Sequence, residues 1–77
     1  ELESAIVPRL YPNPTGSLLH IATDRPFQRI EIYDLYGRKM LESTTAVIDM
    51  SILPASLYSV KIIFGSGHSY VEQVYKS

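Results

Sequence analysis

Few side chains in this 77-residue chain are able to do covalent chemistry, and their spacing limits what they can be. Ser51, His68 and Asp49 hold the atoms of a hydrolase: a nucleophile, a base and an acid to orient it. Ser51, however, stands in no elbow motif, and His68 falls in a glycine-rich turn. A triad is defined by geometry rather than inventory, and the spacing here converges on nothing. These residues read as a turn serine and a solvated histidine. His20 and His68 are isolated, with no second ligand at i+2 or i+4, so no metal site is expected. Asp24, Asp34 and Asp49 could pair as acid and base, but each borders a turn where a carboxylate accepts backbone amides. The four glycines stand in four different contexts, so no phosphate-cradling loop is present. Neither catalytic residues nor a cofactor are expected.

The six tyrosines are the other chemically capable group. On an exposed face they could stack sugars or bases. In a sheet protein without tryptophan they more often fill the core or its rim, with the hydroxyl reaching a partner. Tyr33 falls on the outward side of its strand and Tyr36 in a turn, so these two are the candidates for exposure.

Every one of these groups must be held by strands. Ile30 and Ile32 share one face against Arg29, Glu31 and Tyr33. Tyr58, Val60, Ile62 and Phe64 do so against Ser59 and Lys61, and Ala46, Ile48 and Met50 against Thr45 and Asp49. A period of two marks half-buried strands, and the Tyr, Ile, Val and Thr content agrees. Seven strands are expected: Ala5–Leu10, Leu18–Thr23, Gln28–Asp34, Arg38–Ser43, Ala46–Asp49, Leu57–Phe64 and Ser69–Lys76. Short strands at this spacing predict an all-β, antiparallel β-sandwich. Helix is confined to one possible turn near Ser51–Leu53.

The turns have individual mechanisms. Asp34-Leu35-Tyr36-Gly37 fits a type I turn with an Asp acceptor first and a positive-φ glycine last. Gly65-Ser66-Gly67 is a second hairpin signal. Pro12, Pro14 and Pro26 lack amide protons and belong in loops or at strand ends, and Pro14 pushes Asn13 toward extended geometry.

Composition closes off several classes of partner. Hydrophobic residues make up 45% and charged residues 19%, a globular balance. Seven basic against eight acidic side chains leave a net charge of −1, so there is no basic field for nucleic acid. With no cysteine there is neither a disulfide framework nor a thiolate site. No apolar run approaches the roughly 20 residues of a membrane span, and no signal-peptide pattern opens the chain. A first residue Glu1, in place of Met, suggests a piece of a longer polypeptide, with Glu1–Ser4 as a tether and residues 5–77 as one domain.

Three segments together carry a family resemblance. Tyr11-Pro12-Asn13-Pro14-Thr15-Gly16 comes first, then Ile30-Glu31-Ile32-Tyr33-Asp34-Leu35-Tyr36-Gly37-Arg38. Ile48-Asp49-Met50-Ser51-Ile52-Leu53-Pro54 follows and leads into Tyr58-Ser59-Val60-Lys61-Ile62. In order and spacing the chain, from Tyr11 to Lys76, resembles the C-terminal sorting domain (type A) of type IX secretion cargo from Gram-negative Bacteroidota. The resemblance implies an immunoglobulin-like sandwich of about seven strands, without the cysteine pair and core tryptophan of antibody domains. It implies addressing rather than catalysis. The partners would be an N-terminal cargo domain in the same chain, and the outer-membrane translocon and sortase of the system. The sortase usually removes the domain and joins the cargo to surface lipopolysaccharide. The route would run through the periplasm to the outer membrane, cell surface or medium.

Residue by residue, Asp34, Gly37 and Arg38 match the family's hairpin, where Arg38 would pair with Asp34. Asp49, Ser51, Leu53 and Pro54 match the loop before the strand that carries Tyr58. The family usually has glycine where this chain has Ser56, and a positive φ there would cost Ser more than Gly. Its last strand is often richer in lysine than Val71-Glu72-Gln73-Val74-Tyr75-Lys76, where only Lys76 matches. That strand, through Val71, Glu72, Gln73, Tyr75 and Lys76, is the expected recognition element, because a sheet edge can offer backbone groups to a partner. Two other readings stay open: a domain retained in a component of the secretion or attachment machinery, and a surface adhesive or carbohydrate-binding sandwich. The second predicts an exposed aromatic platform or concave face, and further domains beyond Ser77; a sorting domain should meet a stop codon there.

Overall fold

The computed structural model describes residues 7–77. The expected tether and the first residues of the strand expected from Ala5 lie outside that range. Seven strands follow in order: β1 (Arg9–Tyr11), β2 (Leu18–Ala22), β3 (Phe27–Tyr33), β4 (Lys39–Ser43), β5 (Val47–Asp49), β6 (Ser56–Phe64) and β7 (Ser69–Lys76). They form two antiparallel sheets, β1-β2-β5 and β4-β3-β6-β7, and no helix occurs among the described residues. The fold is the all-β sandwich that the period of two predicts. The first strand opens at Arg9 rather than Ala5, directly after Pro8, whose nitrogen has no hydrogen to give a ladder.

Alternation decides what each strand buries. Tyr58, Val60, Ile62 and Phe64 of β6 all turn inward and meet Ile30 and Ile32 of β3, Leu19 and Ile21 of β2, Ile48 of β5 and Val74 of β7. Each such side chain contributes about 1.5–3 kcal/mol when fully withdrawn from water. Ala46 departs from its expected place: it is exposed, because β5 begins one residue later, and only its carbonyl is used, by Ile21 N at 2.8 Å. The single helical turn expected at Ser51–Leu53 is one hydrogen-bonded turn, Leu53 N–H to the Met50 carbonyl at 3.0 Å. It drops Met50 and Leu53 into the core.

Two features identify the sandwich type. The seven strands divide into two sheets as in immunoglobulin-like domains. At the β5–β6 corner the Tyr58 hydroxyl donates to the Pro54 carbonyl four residues back, at 2.7 Å. This is the tyrosine corner of that architecture.

Strand direction gives the domain two poles. Val7 and Pro8, the first described residues, the 23–26 loop and the Gly65–His68 turn lie at one end, which we call the proximal pole. The segment after β1, the β3–β4 turn, the β5–β6 corner and the end of β7 meet at the other end, the distal pole. The eight residues of β7 separate the poles by about 26 Å at ~3.3 Å per residue.

Candidate functional site

All three motif segments converge on the distal pole. The β3–β4 turn is the most heavily tied. Asp34 Oδ1 accepts the amides of Tyr36 at 2.8 Å and Arg38 at 2.9 Å, and Oδ2 accepts Arg38 Nε at 2.7 Å. The Gly37 amide closes the turn on the Asp34 carbonyl at 3.1 Å, with Gly37 at φ 81°. The Arg38 amide, with its guanidinium and the Tyr36 amide adding to it, holds the Asp34 carboxyl below its ordinary value. The expected Asp34–Arg38 pair therefore forms, and the Arg38 guanidinium also lies 5.5 Å over the Tyr36 ring. Tyr36 is 85% exposed and Leu35 beside it 65%.

The β5–β6 corner faces this turn. Asp49 Oδ1 accepts the Ser51 amide at 2.9 Å, so its carboxylate is a turn acceptor. Leu53 is buried, while Ile52 between these anchors is 75% exposed. Between the turn and the corner runs a groove of about 310 Å³, walled by Leu35, Tyr36 and Met40 on one side and by Pro54 and Ala55 on the other. Tyr58 lies against it. Ser56, where the family usually has glycine, needs no positive φ: it is the first residue of β6, paired with Lys76, and no described non-glycine residue has φ above zero.

The third segment is a strap across the edge of β7. The peptide bonds before Pro12 and Pro14 are both cis. Asn13 uses its side-chain amide as a backbone would: Nδ2 donates to the Gln73 carbonyl at 3.2 Å, and Oδ1 accepts the Tyr75 amide at 3.0 Å. Thr15 continues with its own backbone, donating to the Tyr75 carbonyl at 2.9 Å and accepting from Ser77 N at 2.9 Å, a parallel bridge opposite Lys76. Its hydroxyl donates to the Leu18 carbonyl at 2.6 Å, and the residue is fully buried. Gly16 follows, exposed.

The expected recognition strand is altered by this strap. Lys76 is buried at 7% exposure, its Nζ donating to the Ser77 carbonyl, because even-numbered positions of β7 face inward. Glu72 is half-buried on the same side and accepts the Tyr70 hydroxyl at 2.8 Å. Of the five candidate residues, Val71, Gln73 and Tyr75 are exposed. The strap covers the edge from the Gln73 carbonyl to Ser77, so its uncovered part is the stretch from Ser69 to the Gln73 amide, by the alternation of edge groups.

A buried carboxylate was not foreseen. Glu31 points to the solvent face of the four-stranded sheet yet is buried, accepting the Tyr33 hydroxyl at 2.6 Å and Arg29 Nε at 2.7 Å, with Lys39 Nζ at 3.7 Å. The Tyr33 hydroxyl, then Arg29, lowers its pKa to about 2. The signal was present as Arg29-x-Glu31-x-Tyr33, a same-face run on one strand. Tyr33 is thus half-buried and engaged. The hydrolase inventory is divided: Ser51 and Asp49 are distal, His68 proximal, where Ser66 Oγ lies 3.0 Å from His68 Nδ1. His20 stacks on Tyr11, centroids 5.3 Å apart, and no cluster of three potential metal ligands occurs among the described residues.

The family model of the secretion system C-terminal sorting domain matches residues 9–76. The chain belongs to that family. It is a type IX secretion sorting domain, and a sorting signal rather than a catalyst is the business of its family. Nothing among the curated proteins or the solved structures matches it. No described helix of this sorting domain is long and apolar enough to cross a membrane.

Proposed function

We propose that this sorting domain addresses a larger cargo, carried N-terminally in the same chain, through the outer membrane, and that the sortase of the type IX system then removes it. The supporting observation is that the motif residues complete their hydrogen bonds within the domain. Asp34 is satisfied by its own turn, Asn13 by β7, Asp49 by Ser51 and Tyr58 by Pro54. A label that folds on its own bonds reads the same behind any cargo. Of the candidate recognition residues on β7, those open to a partner are Val71, Gln73 and Tyr75, not Lys76.

The test is to place the chain behind a fluorescent reporter in a type IX-competent cell and measure reporter at the surface and in the medium, with mass spectrometry of the product. Surface delivery with loss of residues 1–77 is expected. Delivery that is unchanged when the domain is deleted sinks the proposal. Delivery with the domain still attached corrects it to a retained domain. An adhesive reading would need the exposed tyrosines to form one platform; they stand on three separate elements, Tyr11 at the end of β1 and stacked on His20, Tyr36 in a turn and Tyr75 on β7.

A further inference from the structure

We infer that the distal pole is a docking surface for a partner protein of the secretion apparatus, which lays an extended segment carrying an apolar side chain and a neighbouring carboxylate across the groove between the Asp34–Arg38 turn and the Pro54–Tyr58 corner. This rests on the sorting-signal reading. The three most exposed large apolar residues of the described chain, Tyr36, Ile52 and Leu35, all lie at this one pole. Single exposed apolar residues need no explanation, but Leu35, Tyr36 and Met40 line one groove together, and a contiguous apolar surface marks a contact site. The groove's volume stands at the lower bound of ligand-sized pockets (~300–1,000 Å³) and suits one or two side chains.

Arg38 supplies the polar half. Its side chain is 71% exposed, yet it is fixed by Asp34 through Nε and by the Tyr36 ring below. Among the described residues its two terminal nitrogens have no hydrogen-bond partner. A held guanidinium with both terminal nitrogens outward is a preformed receptor for a carboxylate. The one acid beside it, Asp34, is already saturated by two amides and that guanidinium. An anionic bilayer is the less suited occupant, because nearby lysines are engaged: Lys39 with Glu42 and Glu31, and Lys76 with Ser77.

The experiment uses the reporter fusion with Tyr36→Ser, Ile52→Ser, Arg38→Glu and Arg38→Lys. Surface delivery is expected to fall about tenfold or more for Tyr36→Ser and Arg38→Glu, the size of a lost interface anchor. Arg38→Lys, which keeps charge but loses the fork, is expected to fall less. Thermal unfolding of each fusion separates docking from folding, and Ile52→Ser, at a side chain 75% exposed, is also expected to lower delivery and carries the test if an Arg38 variant unfolds. A photo-crosslinking residue at position 36 should capture a protein of the secretion apparatus, and one at position 66, on the proximal pole, should not. Normal delivery of all folded variants beside a delivered wild type overturns the docking surface and leaves the sorting signal standing. A wild type that is not delivered overturns both. Pelleting of the purified fusion with phosphatidylethanolamine–phosphatidylglycerol vesicles, abolished by Tyr36→Ser, would assign the pole to lipid and overturn the protein partner.

Discussion

The two hairpin turns of the four-stranded sheet are the same backbone device at opposite poles. At the distal turn Gly37, at φ 81°, donates to the Asp34 carbonyl, and the Asp34 amide pairs with the Arg38 carbonyl at 2.9 Å. At the proximal turn Gly67, at φ 92°, donates to the Phe64 carbonyl at 3.0 Å, and the Phe64 amide pairs with the His68 carbonyl at 2.9 Å. The two middle positions differ completely. The proximal turn fills them with Gly65 and Ser66, the distal turn with Leu35 and Tyr36. The residue the two turns share is the final glycine at positive φ. The hydrogen bonds of the distal hairpin use neither the Leu35 nor the Tyr36 side chain, the Tyr36 ring meeting the Arg38 guanidinium, and only that turn adds an aspartate and an arginine to stiffen itself.

Exchanging the middles breaks the comparison most sharply. Leu35→Gly with Tyr36→Ser should keep the fold, with stability changed by no more than about 1 kcal/mol as for exposed positions generally, while surface delivery falls at least about tenfold. The reciprocal Gly65→Leu with Ser66→Tyr should disturb neither. Gly65 has no positive φ, and a Cβ there meets nothing within 4 Å. Equal delivery by both exchanged chains would mean that the distal turn differs from its counterpart for no reason of recognition.

What the turns share can be tested by the reverse substitution. Gly37→Ala and Gly67→Ala should each cost about 1–2 kcal/mol, the penalty of a Cβ in the left-handed region, because open space around both leaves no clash to add. For a domain of this size that is a fall in unfolding temperature of about 4–8 °C per kcal/mol. Similar losses at both glycines, read by calorimetry, would confirm one backbone device. A much larger loss at Gly37 would show that the aspartate network depends on the turn shape.

The parts of this molecule legible in the sequence are those fixed by neighbours along the chain. Strand periodicity, both glycine turns and the Asp34–Arg38 pair are contacts over a few residues, and their spacing is their geometry. The strap is different. Asn13 reaches β7 across 60 and 62 residues, so no local pattern shows that its side chain caps the edge of the strand expected to carry recognition. Glu31 shows an intermediate case: its partners Arg29 and Tyr33 are two residues away on one face, but its third charged neighbour, Lys39, comes from the next strand. Ser56 was misleading because glycine in a family pattern need not mean positive φ. The corner at Tyr58 was within reach, since Pro54-x-x-x-Tyr58 at a strand start is the spacing of a tyrosine corner.

That corner is expected to give a smaller effect. Tyr58→Phe leaves the Pro54 carbonyl without its donor beside the groove and should cost about 1 kcal/mol. If delivery fell far more than stability, the corner would be shaping the docking wall as well as the core.

The smallest effect, and the one that best separates the turns, is their response to acid. The Asp34 carboxyl is held below its ordinary value of 3.8, so the unfolded chain takes up a proton at a pH where the folded turn still refuses it. The contribution of that carboxylate is thus complete above about pH 3.8, declines below it, and is lost once the folded group titrates. Glu31 adds the same sign in a window from 4.5 down to about 2. The proximal turn has no carboxylate among its bonds. Amide shifts of Tyr36 and Arg38, followed by NMR from pH 5 to 2, should move together with a midpoint below 3.8, while the Gly67 amide stays level. Slow amide exchange at Arg38 should be lost over the same window. A midpoint at or above 3.8 would mean that the carboxylate is not gripping the turn, and with it would go the stiffness that holds Arg38 outward.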